Sequence, residues 1–184
     1  YRGAGRSASP SGGCDERAYA ALLAQAEQAQ ATQWARFLRL GAGGRVQDSR
    51  YWLLRTLALA TAHCLDRAQA GSFQDPCWVL RVLLVAHRYM EDNLTAAESP
   101  DGAPESHWAS WLRATANARR WWSTELRGAA HSVSKGIHAH FLEDSPRALA
   151  EVYARHYRNA PQDWEGFHAD WRGMLPAYDQ AWTM

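Results

Sequence analysis

Two histidines and two carboxylates crowd one short stretch, His138-Ala139-His140-Phe141-Leu142-Glu143-Asp144-Ser145-Pro146. On a helix, His140 and Asp144 stand at i, i+4 and share a face. A carboxylate so placed holds an imidazole in one tautomer and raises its basicity, the arrangement that general acid–base catalysis uses. His140 is therefore expected to act as acid or base, Asp144 as its orienter and His138 as a second proton-transfer group. The plainer alternative is that Asp144 caps the following helix and His140 donates to a backbone carbonyl. A third use of the same residues is metal ligation. His140 and Asp144, with His63, His87 or His131, would suit zinc or iron. The chain has no His-Glu-x-x-His segment and no repeated Glu-x-x-His pair, so no metal site is assigned.

Other side chains could form the walls of such a site. His63 shares a helical face with Trp52, Thr56 and Leu59, where a histidine serves as a core residue or lines a pocket. Arg88 and Asp92 stand at i, i+4, the spacing of an ordinary ion pair. An arginine buried in so apolar a helix needs a partner, and Asp144 is one candidate. Tyr89 is expected in the core with its hydroxyl seeking an acceptor. Trp108, Trp111, Trp121 and Trp122 are expected to line or roof an apolar cavity. His63, Tyr89, Arg88 and Trp122 are the expected substrate-binding residues. Arg119-Arg120-Trp121-Trp122 could also stack on single-stranded bases. However, 20 basic against 19 acidic residues leave a net charge of +1, which argues against a dedicated nucleic-acid binder.

The elements that must position these groups are helical. The spacing predicts helices over about 16–40, 48–68, 76–95 and 106–130, with Asp48 or Ser49 capping the second. Asp75 can cap the third, with Pro76 at its first position. Residues 97–105 carry the turn chemistry of a loop. Gly128 and Gly136 flank an expected irregular region, followed by a short helical turn over 137–143. Asp144 or Ser145 then caps a helix that Pro146 opens and that runs to about Tyr157. A last helix covers about 162–181, with a possible kink at Pro176. No segment alternates as a strand. The expectation is an all-α, single-domain bundle of six to seven helices over 16–184, behind a disordered tail at 1–15 that is rich in Gly and Ser.

The 184 residues suffice for one domain with its own core. Lysine occurs once, at Lys135, among the 20 basic residues, a skew that suits a GC-rich bacterial genome. The three cysteines show no metal-type spacing and read as free thiols in a reducing cytoplasm. Apolar runs such as Val82 to Ala86 are far short of the roughly 20 residues that span a bilayer, so no membrane insertion is expected. No P-loop, dinucleotide fingerprint or nucleophile elbow is present, and no cofactor is expected.

The run from His138 to Leu149 resembles the signature Asn-Ala-His-Ile-Asn-x-Asp-Leu-Pro-x-Ala-Leu of an uncharacterised all-helical bacterial family, a domain of unknown function. Residues 71–79 with Arg88-Tyr89, and Asp163-Trp164 with Phe167, His168 and Leu175, look similar to other parts of it. The resemblance covers about residues 45–183. It carries over His140, Asp144 and Pro146, and departs at His138 and Leu142, where the family has asparagine. It implies an α-helical domain with a His/Asp pair at a helix junction, and it brings no reaction with it.

Together these readings point to a small cytoplasmic enzyme acting on a hydrophobic small molecule, in specialised metabolism. Cyclisation, isomerisation or hydrolysis by His/Asp acid–base chemistry would fit. The alternatives are a non-catalytic small-molecule-binding or protein-interaction module, and a metal-dependent hydrolase.

Overall fold

The computed structural model describes residues 14–42, 49–118, 133–159 and 163–183. Within them the chain is an all-α bundle: α1 (Glu16–Ala42), α2 (Ser49–Gln69), α3 (Pro76–Glu98), α4 (Ser106–Ala118), α5 (residues 133–157) and α6 (Trp164–Thr183). No strand occurs among the described residues. The tail before Cys14, the expected cap Asp48, His131, and the cluster from Arg119 to Trp122, with the expected wall residue Trp122, lie outside them.

The third helix starts as its sequence dictates. Pro76 needs no N–H partner at the first position, and Asp75 Oδ1 accepts from Trp78 N at 2.9 Å. The α2–α3 connection is closed by Gly71 at φ 68°. Ser72 N reaches Arg67 O and Gly71 N reaches Ala68 O, the paired bonds of a Schellman end. Asp170 of α6 then clamps this connection. Its two oxygens accept from Gln74 N and Asp75 N, both at 2.7 Å. Tyr157, at the end of α5, donates to Asp75 Oδ2 and accepts from Arg81, each at 2.9 Å.

The core falls into two apolar clusters. One gathers Leu65, Phe73, Trp78, Val79, Leu80, Val82 and Met174 with Ala148 and Val152. The other gathers Phe37, Leu53, Leu54, Leu57, Met90, Leu94, Trp108 and Trp111. Trp108 and Trp111 are both 0% exposed. They are solid core, packed edge to face at 5.3 Å, and not the roof of a cavity as their spacing suggested.

The second half departs from expectation in one instructive way. Residues 133–157 form one helix without a restart at Pro146. Neither Asp144 nor His138 makes a side-chain cap, and both have right-handed helical backbone angles. The continuity rests on a π turn over Ala139–Asp144, in which Ser145 N bonds to His140 O, five residues back. A proline lacks the N–H and collides with the carbonyl four residues before it. A wide turn has already left α register there, so Pro146 fits with little cost. Gly136 is also helical and does not break the chain. A Cβ at this position would collide with Leu53 and Trp111, so glycine permits a close approach of α5 to α2 and α4.

The cysteines also correct the sequence reading. Cys14 and Cys77 form a disulfide with Cα atoms 6.3 Å apart, joining the residue ahead of α1 to the first turn of α3. Only Cys64 is free, and its burial pushes the thiol up to about 12, so it is chemically inert. Because the crosslink spans a sequence separation of 63, Cys14→Ser should lower stability by about 4 kcal/mol, read as a lower urea midpoint. A midpoint that responds to neither this substitution nor a reductant would show that the crosslink is absent in solution.

Candidate functional site

The π turn positions the expected pair. His140 O accepts from both Ser145 N and Ser145 Oγ, the latter at 2.9 Å, which locks the turn. On its inner face Asp144 is 0% exposed and His140 is 7% exposed. His140 Nδ1 lies 3.6 Å from Asp144 Oδ2. The i, i+4 relation expected from the sequence therefore holds in space, although the contact is long for a hydrogen bond.

A fully buried carboxylate must be met by donors or lose its charge. Asp144 is met from α4. Trp108 Nε1 donates to Oδ2 at 3.0 Å, and His107 Nε2 donates to Oδ1 at 3.1 Å. His107 Nδ1 stands 3.8 Å from Glu105 Oε2 at the surface, and Glu105 in turn pairs with Arg147. Asn93 Oδ1 holds the start of α4 in register by accepting from Glu105 N at 2.7 Å. Asp144 is thus neither a helix cap nor the partner of a buried arginine. It accepts from one imidazole and one indole, and a second imidazole, His140, stands 3.6 Å away.

On its other side His140 lines a small cavity. Gln33 of α1, Leu57 and Thr61 of α2, Val82, Leu83, Ala86 and His87 of α3, Ser145 of α5, and Trp171 and Met174 of α6 complete the wall. Leu57 belongs to one apolar cluster and Val82, Leu83 and Met174 to the other, so the cavity sits on the seam of the core. The space is ≈ 20 Å³, room for a water molecule or a group of a few atoms. Gln33 Nε2 donates to His87 Nδ1 at 3.3 Å, which makes that nitrogen the acceptor of a neutral ring. Burial pushes His87 below the ordinary histidine value; Glu91 opposes this, and His140 and Arg36 add to it. Gln33 Oε1 and His140 Nδ1 are buried without a hydrogen-bond partner.

The remaining expected residues are not gathered here. His138 is exposed on the opposite side of α5 and donates from Nδ1 to Ser134 O at 2.8 Å. His63 is half-buried on α2 with Nε2 unpartnered, but it does not line the cavity. Arg88 and Tyr89 belong to a different cluster. Arg88 Nη2 donates to both oxygens of Glu151, at 2.8 and 2.7 Å, and the Tyr89 hydroxyl donates to Oε2 at 2.6 Å. The guanidinium holds Glu151 below the usual carboxylate range. This corrects the Arg88–Asp92 pairing, since the partner comes from α5, across the bundle. Arg147 lies over the Tyr89 ring at 4.4 Å.

The sequence reading had missed His107, and it named His87 only as a possible metal ligand. Among the described residues no three His, Cys, Asp or Glu side chains converge as a metal would need. No family model, curated protein or solved structure matches this chain.

Two outcomes follow from the geometry. Asp144→Ala orphans the buried Trp108 N–H, so it should cost at least about 1–3 kcal/mol, whereas His138→Ala at the surface should change stability by less than about 0.5 kcal/mol. Urea titrations of the two variants check this. For pH, a histidine whose proton affinity is lowered by folding binds more protons when unfolded, so stability falls as pH drops below about 6.5. Thermal melting between pH 7.5 and 5.5 should show that fall, and His87→Gln should flatten it; an unchanged slope would remove His87 as its source.

Proposed function

We propose that the protein is an acid–base catalyst whose reacting group is His140, acting on a small apolar molecule that presents its reactive end to the core-seam cavity. One observation carries this reading. An imidazole backed by a fully buried carboxylate, His140 on Asp144, lines a polar-rimmed hollow shared by five helices. Asp144 sets the ring orientation, and His87, held neutral, is the second imidazole at the same cavity in place of His138. The apolar floor excludes water from the reacting group and strengthens every polar contact there. Cyclisation, isomerisation and hydrolysis share this proton-transfer step. The residues from His138 to Leu149 that resemble the uncharacterised bacterial family are the ones that carry the site, and membership of that family is part of the same proposal.

No helix among the described residues is long and apolar enough to cross a membrane. The Cys14–Cys77 disulfide suits an oxidising compartment better than the reducing cytoplasm expected from the cysteine count.

A non-catalytic binding module is the second reading. The narrowness of the cavity favours it.

Hydrolysis of 4-nitrophenyl acetate separates the two, because a reactive His140 would take its acetyl group and a mere binding site would not. The catalytic reading expects turnover above that of equimolar free imidazole. His140→Gln should cut it by about 10²–10⁴-fold, and His138→Gln should leave it unchanged. Equal rates in wild type and His140→Gln would favour the binding module.

A further inference from the structure

Asp144 serves two imidazoles, and only one of them faces the cavity. His140 lines the hollow. His107 stands on the opposite carboxylate oxygen at 3.1 Å, with its own Nδ1 turned to Glu105 at the surface and its side chain 16% exposed. Nothing in the spacing of residues 107 and 144 calls for a second histidine at this point. Arg147 acts on Asp144 only through space, and a buried carboxylate with no arginine or lysine bonded to it balances one imidazolium well and two poorly.

We propose that His107 is a positioning residue that exchanges positive charge with His140 across Asp144. At rest His107 is the imidazolium, with Nε2–H on Asp144 and Nδ1–H toward Glu105, and His140 is neutral with Nδ1–H toward Asp144. When a group in the cavity gives a proton to Nε2 of His140, that ring becomes the imidazolium and tightens on Asp144 Oδ2. His107 then releases its Nδ1 proton to water beside Glu105 and keeps its Nε2–H bond to Oδ1. One proton enters from the cavity and one leaves to solvent. The charge of the trio stays constant in the dry interior, so no reorganisation of the surrounding core is required. The return step reloads His140 for donation. The long 3.6 Å contact belongs to the resting arrangement, since catalytic hydrogen bonds often tighten only on reaction.

This inference rests on reading His140 as the acid–base group, and its test needs no substrate. Ring resonances of the ¹⁵N-histidine-labelled 184-residue chain would be followed from about pH 5 to 8.5. The groups facing His140 are Asp144 from its own helix, His87 from α3 and Gln33 from α1; His107 faces Asp144 and Glu105, whose partner is Arg147. His107→Gln keeps a hydrogen-bond donor but cannot titrate, and it should raise the proton affinity of His140 at least about threefold. His140→Gln should raise that of His107 by the same factor, because coupling free energies are reciprocal. His87→Gln serves as the control for the other neighbouring imidazole. Should His140→Gln fail to fold, the variant at His107, whose side chain is 16% exposed, decides alone, together with the wild-type curves, which should be broader than a single-site titration. Affinities unchanged within about 1.3-fold, with single-site wild-type curves, would overturn the exchange. The two ideas fail separately. Coupling without an effect of His140→Gln on ester turnover removes the catalytic reading and leaves the shared carboxylate. Loss of turnover without coupling leaves the catalytic reading and removes the exchange.

Discussion

The buried charge of Asp144 constrains the second half of the molecule more than any apolar contact does. Leaving a carboxylate unpaired in so apolar a setting would cost several kcal/mol, so the fold must deliver donors to both of its oxygens. They arrive from the first turn of α4, through His107 and Trp108. That requirement fixes where α4 begins, which Asn93 enforces by accepting from Glu105 N. It also fixes the rotation of α5. The rotation is possible only because the helix widens over Ala139–Asp144, and the same widening accommodates Pro146 two residues later. Helix start, helix rotation and proline placement are three consequences of one buried charge.

Much of this architecture is legible in the sequence because its signals are local. Asp75-Pro76 marks the start of α3 through cap chemistry confined to four residues, and the structure shows that cap. The apolar periodicity of residues 51–65 and 76–95 correctly announced helices at the centre of the domain. The His140–Asp144 relation was also readable, since i, i+4 neighbours face one another on almost any helical turn. The helix restart at Asp144 was the misreading. Asp-Ser-Pro is an ordinary capping signal, and nothing in the letters reveals that a π turn upstream has made the cap unnecessary.

What could not be read was every partnership between distant elements. Arg88 was given to Asp92 because short-range pairing is all that spacing can express, while its bond goes to Glu151 on another helix. The tryptophans Trp108 and Trp111 share a face by periodicity, but periodicity cannot say whether that face meets empty space or side chains. Here it meets Phe37, Leu53, Leu57 and Met90. His107 is the clearest case. It sits beside a tryptophan at the start of a helix, at no telling distance from any other polar residue. The one available clue was physical: an aspartate in a segment rich in buried positions needs donors from elsewhere, and the sequence held few candidates able to supply them.

Asp170 is another buried carboxylate, and the contrast gives the site its meaning. Asp170 is 2% exposed and is met by two backbone N–H groups, from Gln74 and Asp75. Burial pushes its carboxyl up, and those two amides pull it back toward the charged form. The donors there cannot titrate in the physiological range, and the outcome is a static clamp between α6 and the α2–α3 connection. Asp144 solves the same physical problem with one imidazole, His107, and one indole, Trp108, while a second imidazole, His140, stands 3.6 Å away without a bond. If holding helices together were the sole demand, a second indole, an amide or a tyrosine hydroxyl of the kind seen at Asp75 could take the place of His107. Asp144 instead stands between two imidazoles, one at a cavity and one near the surface. That placement is what the proposed acid–base role of His140 calls for, since an imidazole reacting in a dry cavity needs a carboxylate behind it.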